Sequence, residues 1–382
     1  MRYKLDEIVD VTMGQSPKSE YYNSEAIGMP FLQGNRTFGI KFPTFDTYTK
    51  IATKTAKAGD VIMSVRAPVG DLNITPLNVC LGRGVCSLHM KNGNQEFLYY
   101  MMKYYMPYLL NKESGTVFGS INRNDIISLE VDIPADSKIQ KKIARYLTMV
   151  DEKIELNNKI NNNLEQQMQV VFNKFISERL VTSKTSVENV VLTANTGADA
   201  IQKAPIVDYD TGIRCVRVGD MTNNRSFHDW GYTKVTEEVF NRYQLHKNDI
   251  IVTRTASLGL NTIISEDLQA VYNNGLIRLS INDKKALPLF IYRQFQTDDF
   301  SNYIARIKSE TSVRPNMKIN YLLNYEFELP SLDEQNELID LFQPMNEQQN
   351  SLINENKMLE SLRNTLLPKL MSGELDVSDI DL

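Results

Sequence analysis

The sequence predicts an α+β protein built twice over: two similar globular α/β domains, each followed by a long helix, with the two helices packed as an antiparallel coiled coil about a pseudo-two-fold axis. Three observations predict it. A set of short motifs recurs in the same order about 190 residues apart, the apolar period within each copy switches from strand to helix, and each copy ends in a stripe of four-three spacing. With 382 residues the chain exceeds what one core usually organises, which agrees with two domains.

The repetition comes first. GMPFLQGN from Gly28 resembles GIRCVRVGD from Gly212, an offset of 184, and GDVIMSVRAPVG from Gly59 resembles NDIIVTRTASLG from Asn248, an offset of 189. LGRGVCSL from Leu81 resembles YNNGLIRL from Tyr272, and EFLYYMMKYYMPYLL from Glu96 resembles LFIYRQFQTDDFSNYI from Leu289. The Ile-Pro and Leu-Pro steps that follow, IPADSKIQ from Ile133 and LPSLDEQ from Leu329, stand 196 apart. An order kept while the offset drifts upward is the mark of a duplication with loop insertions.

Within a copy, DVIMSV and DIIVTR are short, rich in branched residues and bounded by Gly or Asp, so they read as strands, whereas the EFLYYMMKYYM region reads as a helix. Each proline then ends an extended run. Ser137 with Gln140, and Ser331 with Glu334, fit the capping box that starts a helix.

The stripes follow. Ile139, Ile143, Leu147, Val150, Ile154, Leu164, Met168, Val171 and Phe175 form one, with Asn157 and Asn161 between; Leu338, Phe342, Met345, Leu352, Leu359 and Leu366 form the other, with Gln349, Asn356 and Arg363 between. The polar members are expected to be either register-setting layers or solvated edges. Pro344 predicts a kink near the second helix's start, and Lys369 with Gly373 predicts its stop. The boundaries expected are 1–135 and 181–331 for the domains, with helices at 136–180 and 332–382.

Composition narrows the function. No apolar run suits a membrane span, the first residues lack a signal peptide's apolar stretch, and Cys80, Cys86 and Cys215 form no paired motif, so a reducing, cytoplasmic setting and buried thiols are expected. Catalytic motifs fail on physical grounds. GNRTFGIK has Ile40 where a phosphate-binding lysine must stand, LGRGVCS lacks its third glycine, and His89, His228 and His246 have no metal-ligand spacing. What remains is a binding protein.

The net charge of −5 argues mildly against an acidic partner, yet residues 41–91 hold seven Lys or Arg against three Asp or Glu. Loops after apolar runs are loaded with side chains that read base edges: Gln33, Asn35 and Arg36 in the first copy; Asp220, Asn223, Asn224 and Arg225 in the second; Ser312, Arg314 and Asn316 further on. Ser64, Arg66, Arg83, Arg217 and Arg254 complete the candidate DNA-binding set, with Arg66 and Arg254 ending equivalent strands. Such loops are usually just polar loops, and their recurrence at matching places is what raises them.

Taken with the DEKIELNNKINNNLE run from Asp151 and LLPKLMSGEL from Leu366, these patterns resemble the specificity subunit of type I restriction-modification systems along nearly the whole chain. The resemblance implies a non-catalytic DNA-reading subunit. In that family two target-recognition domains each read half of a split site in double-stranded DNA, and the helices space them and dock two modification (methyltransferase) subunits. Restriction (motor and nuclease) subunits join through the complex. S-adenosylmethionine, ATP and Mg belong to those partners, and no cofactor is expected on this chain. IPADSKIQ departs from the family's acidic-Glu-Gln form, and Pro344 is a second departure. Two other classes compete: a DNA-modifying enzyme with an unrecognised site, and a purely structural coiled-coil scaffold.

Overall fold

The computed structural model describes residues 1–110, 119–178, 184–310 and 316–378. The chain forms two compact units, Met1–Lys159 with Leu352–Leu382, and Ile160–Ser351, so each unit takes part of both long helices.

In the first unit the short, branched segments form a four-stranded antiparallel sheet in the order Val9–Met13, Val85–Met90, Val61–Ser64, Leu72–Ile74. Helix Gln95–Leu110 packs on it and buries the whole run Phe97 to Met102, which explains its near-unbroken apolar sequence. A smaller sheet holds Met29–Leu32 parallel to Val79–Leu81. A ribbon of Arg2–Lys4 with Glu130–Asp132 leads into the first long helix. That helix sends Ile143 and Leu147 into the core, and the end of the second sends Leu370 and Met371.

The second unit repeats each piece. Its sheet runs Val191–Thr196, Leu276–Ile281, Ile250–Thr253, Asn261–Ile263 in the same order, and Arg214–Val216 lies parallel to Ala270–Tyr272. One piece differs, because the single helix of the first unit becomes Pro288–Gln294 followed by Asp298–Glu310. Met168 and Phe172 of the first long helix, and Leu338 and Phe342 of the second, enter this core. The paired glycines share one reason. Gly70 and Gly259 have φ of +94° and +82°, and a Cβ would meet Met106 Sδ at 2.8 Å and Ile304 at 2.9 Å.

The long helices are Ser137–Ser177 and Leu332–Ser372, each of 41 residues. In the first unit they run antiparallel: Arg363 meets Asp151 at 2.8 Å, and Asn157 donates to Asn356 at 2.9 Å. In the second, Gln349 donates to the carbonyl of Asn161 at 3.1 Å. The polar stripe members are therefore layers that fix register rather than solvated edges.

One local expectation changes. Ser331 and Glu334 do form a capping box, with Ser331 N donating to Glu334 at 2.9 Å. The first helix is capped instead by Asp136, whose carboxylate accepts from Lys138 N at 2.7 Å. One more residue separates Pro134 from that helix than separates Pro330 from its counterpart, which moves the cap ahead of Ser137. Gln140 and Gln335 hold the same post in both copies: each is buried, and each donates at 2.8 Å to the carbonyl of the preceding proline. The second helix runs on through Pro344 and Pro368 to Ser372. Gly373 ends it with φ of +77°.

Candidate nucleic-acid interface

In the first unit the loop after Met29–Leu32, the turn after Val61–Ser64 and the turn before Val85–Met90 converge on an open cleft of about 360 Å³. Five predicted residues line it: Gln33, Asn35, Arg36, Arg66 and Arg83. Their electrostatics differ. Arg36 is held by Asp46 at 2.8 Å, and that guanidinium keeps the Asp46 carboxyl below the ordinary carboxylate range. Asn35 donates to Asp71 at 2.6 Å and is fixed. Arg66 and Arg83 are exposed and have no ion pair among the described residues, so they are the free cations of the cleft.

Ser64 is a correction. It is fully buried, donating to the carbonyl of Pro68 at 2.8 Å and accepting from Asp71 N at 2.9 Å, so it shapes the turn that presents Arg66. Sequence reasoning missed Ser16 and Asp46, which line the cleft from loops with no motif; Ser16 Oγ accepts from Arg83 N at 3.1 Å.

In the second unit a cleft of about 480 Å³ lies at a different place, beside the edge strand Asn261–Ile263 and helix Pro288–Gln294, and takes in Asp220, Asn224 and Arg225. Asp220 is buried and accepts from Arg217 N at 2.9 Å, fixing the turn Val218–Thr222, while Arg225 pairs with it at 3.3 Å. Arg217 and Asn223 lie outside the cleft: Arg217 donates to the Ala204 carbonyl at 2.7 Å, and exposed Asn223 folds back on the Gly219 carbonyl at 2.8 Å. Asn316 is exposed and bridges to Thr255, while Ser312 and Arg314 lie outside the described residues.

Arg66 and Arg254 are not counterparts. Val65 N bonds to the Gly84 carbonyl as Arg254 N bonds to that of Gly275, and Arg66 bridges to Ser120 as Thr255 does to Asn316. Arg254 therefore matches Val65. A one-residue shift along a strand end turns the side chain to the other face, and Arg254 is spent on the carbonyls of Met317 and Asn274, at 3.0 and 3.2 Å.

Among the described residues no His, Cys, Asp or Glu group is placed to hold a metal, and no helix is long and apolar enough to cross a membrane. The three cysteines are free and buried; burial pushes the Cys86 thiol up to about 12.

A duplicated fold with a polar loop after the same strand in each copy invites comparison with known proteins. A family model described as the type I restriction modification DNA specificity domain matches residues 1–166 and again residues 195–360. The chain belongs to that family. It is 34% identical over 172 residues to the proposed type I restriction enzyme MjaX specificity subunit of Methanocaldococcus jannaschii, a match covering 44% of this chain and 40% of that one. It is 21% identical over 413 residues to the type I restriction enzyme EcoBI specificity subunit of Escherichia coli, covering 98% of this chain and 86% of that one. The solved S subunit of a type I restriction-modification system from M. genitalium covers 97% of this chain and 95% of its own, with 15% identity and a TM-score of 0.50, which speaks for the fold.

Proposed function

We propose that this chain is the DNA-reading subunit of a type I restriction-modification complex, each globular domain reading one half of a split site. The observation that carries it is the doubled match to the specificity domain, laid on two halves that each place a polar loop after the strand lying parallel to its neighbour, Met29–Leu32 and Arg214–Val216. In this reading Gln33, Arg66 and Arg83 contact the first half-site, and Asn224 and Arg225 the second. Arginine suits guanine O6 and N7, and amide side chains suit adenine N6 and N7. The long helices dock two modification subunits, through which restriction subunits join. The chain contributes no catalytic group, and S-adenosylmethionine, ATP and Mg are held by its partners.

A net charge of −5 also means little surplus positive charge to release counterions, the term that drives DNA affinity. The isolated chain should bind DNA weakly and with strong salt sensitivity, and become sequence-selective when modification subunits close around the duplex. Gel shifts of the chain alone and with those subunits, at two salt concentrations, test this. Tight, specific binding by the lone chain would overturn it.

A further inference from the structure

One wall of the first unit's cleft is the turn at residues 82–85, and the second unit repeats that turn at residues 273–276. Gly82 N donates to the Leu32 carbonyl at 2.7 Å as Asn273 N does to that of Val216 at 3.2 Å, and Val85 N closes on the Gly82 carbonyl at 3.2 Å as Leu276 N does on that of Asn273 at 3.0 Å. The strands alongside keep the same register, since Leu32 faces Leu81 as Val216 faces Tyr272. Gly14 N and Gly197 N bond to the carbonyls of Val85 and Leu276, and Gln15 N and Ala198 N to those of Leu81 and Tyr272. Arg83 therefore matches Asn274, Gln33 matches Arg217 and Ser16 matches Asp199, while the bridges to Ser120 and Asn316 match Arg66 with Thr255.

The same place carries different chemistry in the two copies. In the first, Arg66 and Arg83 are exposed cations. In the second, Asn274 is exposed where Arg83 stands, Thr255 is half-buried, and Arg217 is turned onto the Ala204 carbonyl at 2.7 Å. Asp199 steadies the amide. One of its carboxylate oxygens accepts from Ile201 N and Gln202 N at 3.0 and 2.8 Å, and the other accepts from Asn274 Nδ2 at 3.4 Å. Among the described residues Asn274 Oδ1 has no partner, and the second hydrogen on Nδ2 is free as well, so the side chain offers one acceptor and one donor outward.

We propose that Asn274 is a specificity-determining residue of the second half-site, contacting adenine through its amide where Arg83 contacts guanine in the first. This rests on the DNA-reading proposal and adds a residue to it. A guanidinium pairs with guanine O6 and N7, whereas an amide that donates and accepts together pairs with adenine N7 and N6. Charge rules out the other use of such a turn, which is to grip the DNA backbone. Asn274 is neutral and its neighbour Asp199 is an anion that repels phosphate, so the contact is to a base edge.

The test uses the full chain reconstituted with its modification subunits, after the parent motif has been mapped from methylated adenines. Initial methylation rates are compared on duplexes carrying each of the four base pairs at each position of the second half-site. Asn274→Ala should lower the preference for adenine by about tenfold or more at one position other than the methylated base, with the first half-site unchanged. Asn274→Arg should move the preferred base at that position from adenine to guanine, a gain that misfolding cannot produce, and the turn accepts arginine because Arg83 already occupies it in the first unit. Uniformly slower methylation with unchanged base preferences would mean a structural or backbone role and would overturn the proposal. Arg83→Asn separates it from the reading beneath it. If that variant alters the first half-site while Asn274→Arg alters nothing, the role given to Asn274 fails and DNA reading stands; if neither alters any position, both fall.

Discussion

Each unit has a charged contact where its globular domain meets the helix pair, and the two contacts are wired oppositely. In the first, the long helices supply both charges: Arg363 meets buried Asp151 at 2.8 Å, and Tyr100 of the domain donates to the same carboxylate at 2.7 Å. In the second, the domain supplies the cation. Arg293 occupies the place of Tyr100 and meets Glu165 of the helix at 2.6 Å, with Met168 Sδ at 3.3 Å. Arg293 is 2% exposed and Glu165 40%, whereas Asp151 is 6% exposed and Arg363 20%, so the deeply buried member is the cation in one joint and the anion in the other. Duplication preserved the place of the joint, and each copy then settled its own charge arrangement.

The sharpest way to break this comparison is to neutralise each carboxylate without changing its shape. Glu165→Gln strands a buried guanidinium and should cost about 3 kcal/mol, whereas Asp151→Asn leaves Arg363 able to reach water and should cost about 1 kcal/mol. Urea titrations of the full chain would rank them. Equal losses would mean that burial of the surviving charge does not control the joint.

A second contrast involves Lys103, which burial beside Tyr99 pulls down to about 8, while Gln296 stands at the matching place. A cation whose folded value lies below its ordinary 10.5 is held charged at a cost below about 8, and that cost is relieved as the pH rises. Lys103→Met should therefore stabilise the chain at neutral pH, with an advantage that shrinks between about 8 and 10.5. Melting curves of parent and variant across that range test it, and a constant difference would contradict it.

The smallest effect concerns the caps. Asp136→Ala and Ser331→Ala should each cost about 1 kcal/mol, measured by the same titrations. Ser331 was legible in the sequence because its capping box is local and regular. Asp136 was not, since one inserted residue shifts the cap without disturbing the pattern Ser137-x-x-Gln140.

Legibility elsewhere follows the same division. The duplication and the polar positions Asn157 and Asn356 on the helix stripes rest on local spacing, so the sequence reveals them, while their pairing across the helices came from the structure. The cleft residues Gln33, Arg36, Arg66 and Arg83 were found because loop composition marks exposed polar groups. What composition could not tell is which polar groups are already spent. Ser64 is consumed by its own turn, Arg254 by carbonyls of Met317 and Asn274, and Arg36 by Asp46, in each case through a partner distant in sequence or a register shift of one residue.

The central claim is that the two units read separate half-sites, and mapping of methylated adenines in a host carrying the complex tests it most directly. Arg66→Gln with Arg83→Gln should relax or change one half of the methylated motif and leave the other intact; Asn224→Ala with Arg225→Ala should do the reverse, each lost base contact being worth about 1–3 kcal/mol of discrimination. Altered bases in both halves from either pair, or an unchanged motif in complexes that still methylate, would contradict the account.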